Sequence, residues 1–492
     1  MVAWFFWLAT VITVAFLAMA IVLFICQWVI YFRVEKTMLE RRQLSRTINK
    51  QGGGEAMISE TLLIVSLVSI WMSLLMSTLT LTGATHFWLR HATKLVTTEP
   101  LPAYPKITIV VPAHNEELVI AKTTRAILDM NYPASKVELI LIADNCTDHT
   151  ADVMRAILNS RAYRFRNARV MERRGGGGKA GALNDALKMA TGDYIGVYDA
   201  DAMPEENALY FLVKEALKDP DQRVAVFGRN KTRNAKQNFL TKCINQEIVV
   251  TQRIQHCAIW HMFKIGRIPG TNFIIRRDFV ESIGGWRDGA LTEDTDISFT
   301  IMQSGKLIAL AYNSEAFQQE PETLHDYYFQ RLRWAKGNYQ VVVHNFRHLF
   351  YHSNWRVKLE TFYYSCTFFW FNAAIILSDA IFLANVVALG VHLFNPSVSL
   401  PFTFGEGNIL IAQLLLFNWL LMIILYALQI SIAMATQIGQ ATTSQVWMAL
   451  AAYFTYSQLF IIISVHAVCS VIADGLFHRN GNVWVKTRRF SD

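Results

Sequence analysis

Four short stretches of this chain carry side chains suited to chemistry. Asp199-Ala-Asp201 closes the apolar run Asp193-Tyr-Ile-Gly-Val-Tyr-Asp199. Two carboxylates at i and i+2 past a strand end can face a hard cation, and Mg²⁺ or Mn²⁺ takes such ligands together with substrate phosphates. Taken alone, the triplet also fits a solvated turn. Arg173-Arg-Gly-Gly-Gly-Gly-Lys-Ala-Gly-Ala-Leu-Asn184 is a glycine-rich loop entering a helix. Exposed amides at a helix start attract phosphate, and Lys179 adds charge. The spacing is neither GxGxxG nor GxxxxGK[ST], so Rossmann and P-loop readings fail, and a plain flexible loop stays open. Leu291-Thr-Glu-Asp294 precedes a helical run over 295–304. Thr292 suits a helix cap, and a carboxylate at a helix start among other acids suits a general base. Gln330-Arg-Leu-Arg-Trp334 places Gln, Arg and Trp at i, i+3 and i+4, on one face of a helix expected over 325–346.

These residues need a scaffold. Lys106–Pro112, Val137–Asp144, Ala168–Glu172 and Asp193–Asp199 read as buried parallel strands. Helical patterns over 116–130, 148–159 and 180–190 separate them. This β-α-β-α-β-α-β order implies a doubly wound sheet with its ligand at the carboxyl ends of the strands. Asp144, Asp199 and Asp201 fall at such ends.

Composition places the scaffold. Hydrophobic residues make up 53% and charged residues 17% of 492, against about 25% charged in an average soluble protein. The deficit is local. Residues 1–32, 61–89, 361–394, 409–434 and 446–473 are each apolar over the roughly 20 residues that a membrane span needs. The first run is too long, and lacks the basic start, for a cleaved signal. The layout is two spans with a basic loop (1–98), a soluble domain (99–324), an amphipathic interface segment (325–356), about three spans (357–475) and a basic tail (476–492). A net charge of +8 gathers at membrane borders and one loop, so nucleic acid is not an expected partner. Six Cys without CxxC spacing indicate neither zinc nor a disulfide framework.

The ordered series Asp144, Asp199-Ala-Asp201, Thr292-Glu-Asp294 and Gln330-Arg-Leu-Arg-Trp334 resembles the D, DxD, TED, QxxRW pattern of processive family 2 glycosyltransferases. Cellulose, hyaluronan, chitin and poly-N-acetylglucosamine synthases share that pattern. Lys179-Ala-Gly-Ala-Leu-Asn184 and Pro269-Gly-Thr-Asn272 are similar to further stretches of the family. The resemblance implies a GT-A fold, a mixed doubly wound sheet inserted between transmembrane helices. It implies inverting transfer from a UDP-sugar, UDP-glucose or UDP-N-acetylglucosamine, to a growing β-linked polysaccharide that is also secreted.

The roles follow residue by residue. Asp144, Lys179, Asp199, Gln330 and Arg333 would bind the donor. Asp201, with Asp199, would hold Mg²⁺ or Mn²⁺. Asp294 would deprotonate the acceptor hydroxyl. Trp334, Glu293 and Thr271 would bind the acceptor, the indole as a platform under a pyranose ring. The catalytic domain would face the cytoplasm from a multi-pass plasma-membrane anchor. Five spans then set the basic loop 33–56 outside, against the positive-inside tendency, unless one segment is re-entrant. Two rival readings are a single-transfer glycolipid synthase of the ceramide or diacylglycerol type, and a non-catalytic transporter or scaffold.

Overall fold

The computed structural model describes residues 53–91, 99–351, 354–367, 391, 394–395, 409–437, 443–476 and 488–490. The expected span over 1–32, most of the basic loop and most of 361–394 lie outside the described residues.

The described chain opens on α1 (Gly53–Arg90). Then come β1 (Ile107–Ala113), α2 (Ile120–Leu128), β2 (Val137–Asp144), α3 (Thr150–Leu158), β3 (Ala168–Arg173), α4 (Gly178–Leu187) and β4 (Tyr194–Val197). These four strands are parallel, in spatial order β3-β2-β1-β4. β1 and β2 are buried on both faces, as their unbroken apolar runs require. The order reverses between β1 and β4, which opens a crevice at their carboxyl ends.

The second half of the sheet is mixed. It comprises β5 (Met203–Pro204), α5 (Ala208–Ala216), β6 (Arg223–Thr232), α6 (Phe239–Val250), a π-helical link Thr251–His256 into α7 (Cys257–Phe263), β7 (Phe273–Arg276), α8 (Arg277–Ser282), α9 (Glu293–Gln303) and β8 (Leu307–Gln318). β7 runs antiparallel to both β4 and β6, β8 is parallel to β6, and β5 closes the edge against β8. Sequence periodicity finds only the first four strands. β5 and β7 are too short to show a period, and register shifts interrupt the pairing of β6 with β8. The sheet is the mixed, GT-A type sheet that the sequence resemblance implies.

Helices α10 (Leu324–Asn345), α11 (Trp355–Ser365), α12 (Ile409–Thr436), α13 (Thr443–Phe454) and α14 (Tyr456–Leu476) complete the described chain. Among the described residues, Val68–Arg90 and Trp447–Asp474 are long and apolar enough to cross a membrane, and Leu420–Thr436 is a shorter apolar helix. Large apolar side chains stay uncovered along α12 and α14, among them Leu420, Ile424, Ile462 and Ile472.

A buried polar knot fastens these helices to the catalytic sheet. The fully buried Glu315 of β8 pairs with Arg229 and Lys231 of β6 and lies 3.8 Å from Arg253 of the π-helical link. Gln437, just past α12, accepts hydrogen bonds from Arg253 Nε (3.0 Å) and Nη2 (2.8 Å) and from Arg229 Nη1 (3.2 Å). The Arg253 guanidinium also stacks 4.6 Å from the Trp88 ring of α1, whose indole N–H donates to the Arg253 carbonyl at 2.8 Å. One carboxylate therefore holds three cations where α1, α12 and the sheet meet. Glu315→Gln strands buried positive charge, so unfolding free energy should fall by about 3–5 kcal/mol. Thermal unfolding of the purified chain in detergent checks this. A melting temperature within a degree of the parent would show that the knot adds nothing.

Candidate active site

β2 ends at Asp144, which is buried and accepts from Arg173 Nη1 at 2.8 Å and from Asn145 Nδ2 at 3.0 Å. Arg173 ends β3 and also reaches Asp185 Oδ2 (2.7 Å) and the Gly176 carbonyl (2.5 Å). The glycine-rich loop folds over this guanidinium. Gly177 and Gly178 take the left-handed φ values +84° and +58°. A Cβ on Gly181 would stand 2.5 Å from the Gly176 carbonyl oxygen, so a side chain there cannot fit.

Lys179 leaves the first turn of α4 and becomes the hub of an acid cluster. Its Nζ lies 2.6 Å from Asp199 Oδ1, 3.2 Å from Glu293 Oε1 and 2.7 Å from the Gly270 carbonyl. Burial disfavours its charge, but Asp199 and Glu293 outweigh burial and hold it protonated. Asp199 stands two residues past β4. Its backbone N–H donates to Thr271 Oγ1 at 3.0 Å. Thr271 is fully buried, and its hydroxyl supports the Asp199 main chain.

Asp201 is wholly buried. Its Oδ2 accepts from Arg489 Nη1 (2.8 Å) and the Gln319 N–H (3.3 Å). Its Oδ1 is buried with no hydrogen-bond partner among the described residues. Burial pushes this carboxyl above the usual range, against the pull of Arg489. A buried carboxylate oxygen whose lone pairs are unused suits a divalent cation, so Asp201 Oδ1 could serve as one ligand to the Mg²⁺ or Mn²⁺ that the sequence resemblance implies, although no cluster of three such ligands forms among the described residues. Glu320, beside Gln319, is another buried acid. Burial raises its carboxyl to about 7, although Arg331 opposes the rise.

α9 begins with Glu293, Asp294 and Asp296 in its first turn, where the helix dipole favours negative charge. The expected Thr292 side-chain cap does not form. Thr292 instead packs against Gly337 of α10, where a Cβ would come within 2.5 Å of Thr292 Cγ2. Asp294 is pushed up to about 7, first by burial and then by repulsion from Glu293, while Lys179 opposes both. Gly270, at φ +80°, lies so close that a Cβ there would be 3.1 Å from Asp294 Oδ2.

The helix expected over 325–346 is α10. Gln330 is buried, and its Oε1 has no hydrogen-bond partner among the described residues. Arg333 is half-buried and faces Glu293, Asp294 and Asp199. Burial lowers its hold on the proton, and those three acids offset that loss only in part. Trp334 is half-buried, with the Arg331 guanidinium stacked 4.4 Å from its ring. The fold thus brings Lys179, Asp199, Glu293, Asp294 and Arg333 into one charged cluster, with Asp201 beside it and Asp144 farther along the strand ends.

Two basic residues escape the sequence reading. Arg489 reads there only as tail charge near a membrane, yet it contacts Asp201 and Glu116, the latter at 3.2 Å, and Phe490 N–H donates to Gln319 Oε1 at 3.1 Å. Its signal is the Arg488-Arg489-Phe490 run, but nothing local links that run to strand ends so far back in sequence. Arg331 is given no role within the Gln330–Trp334 motif.

A model of the glycosyltransferase like family 2 matches residues 105–337, the stretch that contains every strand and the first part of α10. The chain is 32% identical over 436 residues to the probable glycosyltransferase YdaM of Bacillus subtilis, covering 88% of this chain and 99% of that one. It is 29% identical over 266 residues to the beta-monoglucosyldiacylglycerol synthase of a Synechocystis species, 53% of each chain. It is also 29% identical over 248 residues to the poly-beta-1,6-N-acetyl-D-glucosamine synthase of Staphylococcus aureus, 49% of this chain and 56% of that one. With acids at the strand ends, a base candidate at the start of α9 and a relative matched over nearly its whole length, the chain belongs to glycosyltransferase family 2 and is a glycosyltransferase.

Proposed function

We propose that the chain is a membrane-embedded, inverting transferase that polymerises a hexose or N-acetylhexosamine from a UDP-sugar into a β-linked polysaccharide and passes the product through its spans. The observation that carries this reading is the seat of α10. Its active-site face presents Arg333 to Asp294 and Asp199, and another face packs on the apolar helix α14 through Tyr327, Leu332, Ala335 and Tyr339 against Ile463 and Ala467. Acceptor chemistry and a membrane helix thus share one rigid element. The uncovered apolar side chains of α12 and α14 support burial in lipid.

In this reading Asp144 and Arg173 frame the nucleotide end of the crevice. Asp201, with Asp199, would hold the divalent cation, which offsets the charge on the departing diphosphate. Arg333 adds a guanidinium fork for the same diphosphate, and the Gln330 side chain lies one turn away to donate a further bond. Lys179 keeps Asp199, Glu293 and the Gly270 loop together. Asp294 takes the proton from the acceptor hydroxyl as that oxygen bonds the anomeric carbon and the bond to UDP breaks. Thr271 supports Asp199.

A second reading rests on the relatives. The match to the diacylglycerol glucosyltransferase is as strong as the match to the poly-N-acetylglucosamine synthase, so a single-transfer glycolipid enzyme is the alternative. Incubation of membranes with labelled UDP-glucose or UDP-N-acetylglucosamine separates the two. Label retained as a high-molecular-weight ladder supports the polymerase, and label only in the lipid extract overturns it.

The acid cluster sets a pH dependence. A general base works deprotonated, and Asp294 is held up to about 7. kcat/KM should therefore rise with pH through the neutral range. Lys179 favours the ionised form of Asp294, so Lys179→Met should move this rising limb upward by roughly one pH unit. A limb that stays in place in the variant would separate Lys179 from the base. The cation gives a second test. EDTA should abolish transfer, Mg²⁺ or Mn²⁺ should restore it, and Asp201→Asn should stay inactive with either ion. Full turnover in EDTA would remove the metal from this reading.

A further inference from the structure

Arg331 belongs to the Gln330–Trp334 motif, yet it faces Glu247 first and then the buried Glu320, not the cluster around Lys179. It is buried, and its guanidinium lies between two rings, 4.4 Å from the centroid of Trp334 and 5.2 Å from that of Tyr327. Its Nη1 donates to Glu247 Oε1 of α6 at 2.8 Å. Its Nε and Nη2 are buried with no hydrogen-bond partner among the described residues. The other carboxylate oxygen of Glu247 accepts the Tyr456 hydroxyl, and Tyr456 opens α14. Tyr327 and Tyr456 rings meet at 5.3 Å. A continuous path therefore runs Trp334, Arg331, Glu247, Tyr456, from the motif to the first turn of the apolar helix.

The composition of this path bears on its role. A buried guanidinium with two nitrogens lacking hydrogen bonds is costly. What only Arg provides is a flat cation anchored at one corner and stacked along its face. Glu247 anchors the corner, and burial loses to Glu247 in setting its charge, so the guanidinium stays cationic. One face of the Trp334 indole is then covered and fixed in plane.

We infer that Arg331, clamped by Glu247 and Tyr456, is a positioning residue. It sets the plane of Trp334 and so ties the acceptor subsite to the first turn of α14. This rests on the reading of Trp334 as the acceptor platform. α14 is fastened to the same helix at two further points, Tyr328 to His466 Nδ1 at 2.6 Å and Lys336 to Asp474 at 2.9 Å. A shift of α14 therefore reaches the indole directly.

The test uses the full chain purified in detergent, with UDP-glucose and UDP-N-acetylglucosamine as donors. It reads UDP affinity, transfer to product and hydrolysis of donor by water. Arg331→Lys keeps a charge for Glu247 and loses the flat face. Transfer should fall by about tenfold, the scale of a desolvated cation–π contact. UDP affinity and hydrolysis should stay within about twofold, because neither uses the platform. On a Trp334→Ala background the same substitution should cost nothing further, since its effect passes through the indole. Tyr456→Phe should reproduce a weaker form of the loss, and it carries the test alone if Arg331→Lys does not fold. Multiplicative losses in the double variant, or equal loss of UDP affinity and transfer, overturn the positioning role while leaving the platform. A Trp334→Ala variant with an unchanged ratio of transfer to hydrolysis removes the platform itself, and the positioning role with it.

Discussion

Like charges held within reach of one another set the terms for this molecule. Asp199, Glu293 and Asp294 converge on Lys179, and Asp201 lies fully buried beside them. Left alone, these carboxylates would repel and protonate. The chain keeps them together by sending cations from remote segments. Lys179 comes from the glycine-rich loop, Arg333 from α10 and Arg489 from the chain's far end. The site therefore draws on α4, α10 and Arg489 as well as on the sheet. Burial first, and then repulsion from Glu293, hold Asp294 near neutrality, where a general base is most effective.

The constraint also accounts for several residues that do no chemistry. Gly270 leaves room against the Asp294 carboxylate, and its carbonyl accepts from Lys179. The neighbouring Thr271 then receives the Asp199 N–H. One short loop thus links Asp199, Lys179 and Asp294. Glu315 performs an inverse task deeper in the sheet, where one carboxylate faces three cations and Gln437 shares the load with neutral hydrogen bonds. In both places charge balance joins segments distant in sequence.

How much of this was legible from sequence depends on distance along the chain. The first four strands announce themselves through unbroken apolar runs, and β2 spans the residues read for it, Val137–Asp144. Polar residues at the ends of those runs place Asp144 and Asp199 without further knowledge. β5 and β7 leave no period to detect, being two and four residues long. Lys179 carried a phosphate reading because a glycine-rich loop usually offers its charge to a ligand, whereas here the fold commits it to carboxylates. Arg489 was illegible for a plain reason. Its partners, Glu116 and Asp201, lie hundreds of residues away, and a basic tail after an apolar helix already has an ordinary explanation in membrane charge.

α10 is where these two kinds of information meet. Its sequence shows a motif at helical spacing, but spacing cannot say what lies on each side. The fold places acids on one side and α14 on another, with Arg331 inserted between Trp334 and Glu247. A helix wedged in this way cannot rotate for one neighbour without moving against the other. Twenty-two residues of regular hydrogen bonding make it stiff along its length. Stiffness of that kind would suit the proposed polymerase, whose acceptor must be presented at a constant angle. If Trp334 carries the acceptor as proposed, a substitution on the α14 side, such as at Tyr456 or Asp474, would act on that site without touching it.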